Sequence, residues 1–68
     1  MKFEYDKTVD AAYIYLKYPI KEGEAKKTIA LNDNIILDFD KDRKLIGVEI
    51  LNATKVLNKK ALAQVKAS

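Results

Sequence analysis

The sequence predicts an α+β fold: a small, mainly antiparallel β-sheet of about five strands, a meander, followed by one C-terminal α-helix. Three observations carry that expectation. Before residue 53, apolar and polar residues alternate over short runs, the period of half-buried strands. Asp, Asn, Pro and Gly separate those runs at short intervals, and short connections favour antiparallel hairpins. After residue 53 the composition turns to Ala and Lys, with apolar residues four apart, the spacing of one helix face.

Taken in order, Met1, Phe3 and Tyr5 alternate with Lys2 and Glu4 in a first strand. Asp6 to Asp10 reads as a turn, because Asp bonds readily to nearby backbone amides. Ala12, Ile14, Leu16 and Tyr18 share one face of a second strand, and Ala11, Tyr13, Tyr15 and Lys17 the other. Pro19 and Gly23 bracket a break. Thr28 to Leu31 gives a short third strand with Ile29 and Leu31 on one side, and Lys26 and Lys27 suit an exposed edge. Asn32-Asp33-Asn34 is a turn. Ile35, Leu37 and Phe39 then alternate with Ile36, Asp38 and Asp40. Lys41 to Lys44 makes a polar hairpin turn, and Ile46, Val48 and Ile50 form the next inward face. Gly47 inside that strand points to a bulge or a close backbone approach. Thr54 is the expected N-cap of a helix over about residues 54–67. Leu57, Ala61 and Val65 share one face of it, Val56 and Leu62 widen that face, and Lys55, Lys59 and Lys66 lie opposite.

The chain has 68 residues, enough for a single domain over 1–68: a strand-rich body, 1–53, and the helix. A domain this small buries only about 60% of the surface its unfolded chain exposes. Such domains commonly add a disulfide, a metal or a partner subunit. With no Cys and no His, thiolate chemistry and the commonest metal ligand and general base are excluded, which leaves self-association, another small protein as partner, or a well-packed core. No apolar run approaches the roughly 18 residues of a membrane span. The alternating N-terminus lacks a signal core, and a cytoplasmic location is expected. Charge is uneven. Residues 1–53 hold nine Lys/Arg against ten Asp/Glu, and residues 54–68 hold four lysines and no acid.

Three blocks carry a family resemblance: Tyr5-Asp6 with Asp10-Ala11-Ala12-Tyr13-Ile14, then Ile35-Ile36-Leu37-Asp38-Phe39-Asp40, then Gly47-Val48-Glu49-Ile50-Leu51-Asn52-Ala53. In this order and spacing, over about residues 1–55, the chain resembles the small prokaryotic family called domain of unknown function 2283. Arg43 departs from the pattern, standing in the hairpin where the family has glycine, so the turn type is open. The resemblance transfers no activity and no functional residue. It does imply an antitoxin-like role, since members of the family are sometimes encoded beside a small nuclease-like partner.

Several groups of side chains have spacings that invite a chemical reading. Asp38, Asp40 and Asp42 with Glu49 approach the spacing of a calcium loop. However, Arg43 occupies the position that demands glycine, and the flanks alternate as strands. Asp38 and Asp40 are therefore expected to be solvated near a hairpin turn. Asp6 and Asp10 are expected to cap turns rather than to act as paired carboxylates, because nothing predicts a pocket between them. Tyr13 and Tyr15 on one strand face suit core or subunit-interface packing. A nucleic-acid stacking platform would need a positive groove, and these strands carry as many acids as bases. Nucleophilic catalysis lacks its parts: Ser68 is terminal, and Thr8, Thr28 and Thr54 have no evident base.

The reading is a non-catalytic protein-interaction module, homodimeric, needing no cofactor and no metal. Its candidate surface is Val56, Leu62, Tyr13, Tyr15, Lys55 and Lys59. The alternative is a weak nucleic-acid binder using the basic helix, whose lysines would serve as an electrostatic footprint.

Overall fold

The computed structural model describes residues 1–67. It contains β1 (Lys2–Asp6), β2 (Ala11–Tyr15), β3 (Lys27–Ala30), β4 (Ile35–Phe39) and β5 (Leu45–Leu51), followed by α1 (Ala53–Val56) and α2 (Lys59–Lys66). All strands join one antiparallel sheet, as the alternation predicts.

The strand order is β1-β2-β5-β4-β3, not the expected meander. β5 is the longest strand, and it enters between β2 and β4, with Ile46, Gly47 and Ile50 buried. A central position pairs its backbone on both sides and buries its apolar side chains. β3, exposed along its whole length, is left at an edge. The connection over 16–26 carries the chain past the end of β5. It begins with the Leu16 and Lys17 amides donating to the Ile46 carbonyl, and ends with Lys26 donating to that of Phe39. A 2.8 Å Lys17–Glu24 ion pair spans it, and the Tyr18–Pro19 peptide within it is cis.

The register sorts side chains onto two faces. Phe3 and Tyr5 pair with Ile14 and Ala12, which pair with Val48 and Ile50, which pair with Leu37 and Ile35. These form the apolar face. Behind them, Glu4, Tyr13, Glu49 and Ile36 make one cross-strand row, and Lys2, Tyr15, Gly47 and Asp38 the next.

Gly47 fulfils both of its expectations. The register slips between Asp38 and Phe39, which face Gly47 and Leu45. A Cβ on Gly47 would also lie 2.6 Å from Cζ and 2.7 Å from Cε1 of Tyr13, so the tyrosine ring lies where a side chain would be.

The single helix expected over 54–67 is two. α1 ends at Leu57, which is extended (φ −88°, ψ 141°), and Asn58 begins α2 with its side chain accepting from the Ala61 amide at 2.9 Å. Asn is a far better N-cap than a helix-interior residue, which explains the break. Thr54 is therefore not the cap. Asn52, left-handed at φ 55°, precedes α1 and makes no side-chain cap. The break also redirects Val56 and Leu62. Both pack, with Leu57, against the buried cluster of Ala12, Ile50, Ala53 and Val65, so they lie half-buried against the core rather than on a free docking face.

Candidate interaction surfaces

Two helical segments this short cover only part of a sheet face. α2 lies on β1 and α1 on β5, at the end of the sheet where β2 begins and β5 finishes. The other end continues apolar without cover: Leu16, Ile29 and Leu45 remain 43%, 40% and 39% exposed, beside half-buried Leu37 and Phe39. The molecule is correspondingly flat, 33 × 24 × 20 Å, with a radius of gyration of 11.9 Å.

The opposite face holds the tyrosines. Tyr13 donates to Asp38 Oδ2 at 2.6 Å, and Thr28 donates to Oδ1 of the same carboxylate at 2.6 Å. Asp38 is thus an organised acceptor rather than a merely solvated side chain. Burial and then the Asp38 hydrogen bond push the Tyr13 hydroxyl well above the usual phenol range. Tyr15 donates to Glu4 Oε1 at 2.7 Å, and that bond raises its pKa as well. The rings form a ladder: Tyr13 and Tyr15 are 4.6 Å apart at 54°, and Tyr15 and Tyr18 are 5.1 Å apart edge-on. The Lys2 ammonium sits 4.8 Å from the Tyr18 centroid. Three tyrosines thus come together, although alternation put Tyr18 on the face of Ala12 and Ile14; β2 ends at Tyr15, so its alternation does not extend to Tyr18.

The aspartates of the first turn divide their work. Asp6 caps the turn as expected, accepting from the Thr8 amide and hydroxyl. Asp10 does more. Its carboxylate accepts the Thr54 hydroxyl at 2.7 Å and the Tyr5 hydroxyl at 2.8 Å, with the Thr54 amide close by, and its carbonyl accepts the Ala53 amide. Asp10 therefore fastens the β1–β2 turn to α1. Its left-handed backbone (φ 52°) suits Asp better than most residues. The only sequence signal for this role was a Thr at the start of a helix, forty-four residues away.

Asp40 also caps: its carboxylate accepts the Asp42 and Lys44 amides in the β4–β5 hairpin. Among the described residues no three acids gather as a metal-ligating group. Lys55 and Lys59 are exposed, while Lys66 places its ammonium 5.6 Å from the Tyr5 ring. No helix among the described residues is long and apolar enough to cross a membrane.

A family model described as a protein of unknown function (DUF2283) matches residues 2–53. The chain belongs to the DUF2283 family. An uncharacterised protein of Methanocaldococcus jannaschii is 42% identical over 59 residues, which cover 85% of this chain and 46% of the relative. The chain thus spans about half the length of the curated relative it matches. No solved structure matches it. The DUF2283 match takes in the whole sheet, Asp10 and the tyrosine row, and ends at Ala53, where α1 begins. Arg43, in the hairpin between β4 and β5, adopts the left-handed conformation (φ 63°) that glycine tolerates best.

Proposed function

We propose that this DUF2283 protein is a non-catalytic protein-interaction module that pairs with a second copy of itself through the uncovered end of its apolar sheet face. One observation carries the reading. The chain exposes 5066 Å². A folded monomer of 7.7 kDa exposes about 4,300 Å². The excess of roughly 700 Å² is close to the ~800 Å² each partner contributes to a standard interface. Large apolar residues contribute to it, Leu16, Ile29 and Leu45 among them. The non-catalytic part is supported by the carboxylates, since Asp10, Asp38 and Glu4 each hold a tyrosine hydroxyl and so serve the structure.

Sedimentation equilibrium tests the proposal. A dimer is expected at micromolar concentration, and Leu45→Lys combined with Ile29→Lys should return a folded monomer. A wild-type protein that stays monomeric at high micromolar concentration refutes it.

A further inference from the structure

The face opposite the proposed dimer contact is also uncovered, but its chemistry is different. Tyr13 leans along the sheet over Gly47 to reach Asp38, and the small Ala11 on the same strand is half-buried. A shallow trough of about 740 Å³ runs along β1 and β2 there, lined among others by Glu4, Asp6, Ala11, Tyr13 and Glu49. Glu4 and Glu49 flank Tyr13 from the neighbouring strands. Glu49 is half-buried and its carboxylate accepts no hydrogen bond among the described residues. Of the lysines nearby, Lys17 is committed to Glu24, Lys2 already rests on the Tyr18 ring, and Lys7 lines the far end of the trough beside Asp6. Three carboxylates, Glu4, Asp6 and Glu49, thus meet two lysines along the trough, an acidic excess in a chain whose net charge is +3. The face also holds one cation on an aromatic ring within the molecule itself.

We infer that the tyrosine face docks a cationic segment of a partner polypeptide, an arginine- or lysine-bearing stretch lying along the trough. Carboxylates at Glu4 and Glu49 complement the positive charge, and the half-buried rings of Tyr13 and Tyr15 and the exposed ring of Tyr18 take a guanidinium or ammonium over their open faces. The hydroxyl bonds to Glu4 and Asp38 fix the Tyr15 and Tyr13 rings before anything binds, so little side-chain freedom is lost on docking. Phosphate is the wrong sign for this face, which sets it apart from a stacking platform for nucleic acid. The surface is separate from the apolar end of the sheet, so docking and pairing of copies can occur together or fail independently.

The test is a titration of the intact protein with a hexa-arginine peptide at low salt, followed by NMR of the aromatic ring protons. Saturable shifts are expected at Tyr13, Tyr15 and Tyr18, with the ring of Phe39, which does not line the trough, as the internal reference. Glu4→Gln with Glu49→Gln should weaken binding roughly five-fold, since exposed charge pairs contribute modestly. Asp33→Asn with Asp42→Asn, which removes equal charge elsewhere, should leave affinity unchanged. Lys2→Gln should tighten binding by freeing Tyr18 and removing a like charge. A merely structural lysine would not do so. Three results overturn the inference: no saturable shift with peptide at millimolar concentration, equal weakening by the Asp33/Asp42 control, or single-stranded DNA shifting the same rings. Spermine matching the peptide in affinity also overturns it, because the occupant would then be a small polyamine and not a polypeptide.

Discussion

The two ends of the apolar sheet face are built from the same kinds of residue and meet different fates. At one end Ala12, Ile50, Ala53 and Val65 are 2%, 4%, 0% and 3% exposed. At the other, Leu16, Ile29 and Leu45 stay about ten times more open. Hydropathy does not separate them. What separates them is where the helices land, and that is decided at Asp10, which holds Ala53 and Thr54 against the β1–β2 turn. Burial in a domain this small follows from the position of its few covering elements as much as from side-chain type.

The largest expected effect comes from cutting into the covered end. Ile50→Ala should cost about 3 kcal/mol of stability, the range for truncating a buried Ile. The matching change at the open end, Leu45→Ala, should cost less than about 1 kcal/mol in the isolated monomer. Urea unfolding at low protein concentration measures both. Equal losses would erase the distinction between the two ends.

Gly47→Ala comes next. The new Cβ meets the Tyr13 ring at 2.6 and 2.7 Å, and overpacking of this kind costs about 1–3 kcal/mol. Combining it with Tyr13→Ala should recover part of the loss. A double-mutant cycle that sums without coupling would show that the ring does not require the glycine.

The attachment at Asp10 makes the covered end sensitive to pH. The Thr54 hydroxyl, and then the Tyr5 hydroxyl, hold the Asp10 carboxyl below the usual range. Its folded pKa is depressed, so its contribution is present above the unfolded aspartate pKa and is lost as pH falls through the folded value. Tyr5 has the opposite sign: its bond to Asp10 raises the phenol, so its contribution is intact below pH 10 and is lost as pH rises through the raised folded value. Thermal melts of the wild type and Asp10→Asn between pH 2 and 7 should converge at the acid end. Parallel curves would remove Asp10 from the account.

The smallest effect concerns the hairpin between β4 and β5. Arg43→Gly should stabilise by roughly 0.5–1 kcal/mol, because glycine adopts a left-handed backbone without the penalty a side chain brings. Chemical denaturation would detect it, and a loss of stability would mean that the Arg43 side chain contributes more than its backbone costs.

Much of this architecture was legible in the sequence. Phe3 and Tyr5, Ala12 and Ile14, and Val48 and Ile50 share a face because successive strand residues point to opposite sides, and the register keeps those pairs together. Asp6 and the Asn32-Asp33-Asn34 turn behave as their side chains dictate: Asn32 Oδ1 accepts the Asn34 and Ile35 amides. Gly47 marked both a slip in register and a close approach. The helical region starts beside Thr54, at Ala53, but it breaks at Leu57, which the periodicity did not mark. Thr54 has an N-cap's chemistry, but Asp10 had already engaged it from across the chain.

By itself the sequence determined where strands lie, which residues share a face, and that Gly47 must be small, because alternation and backbone sterics act within a few residues. The tertiary structure alone decided that β5 sits at the centre of the sheet, that Asp10 fastens the first helix, and that one end of the apolar face stays open. Those outcomes are choices among long-range pairings of nearly equal local merit. They are settled by which arrangement buries the most apolar strand and satisfies the most polar groups at once.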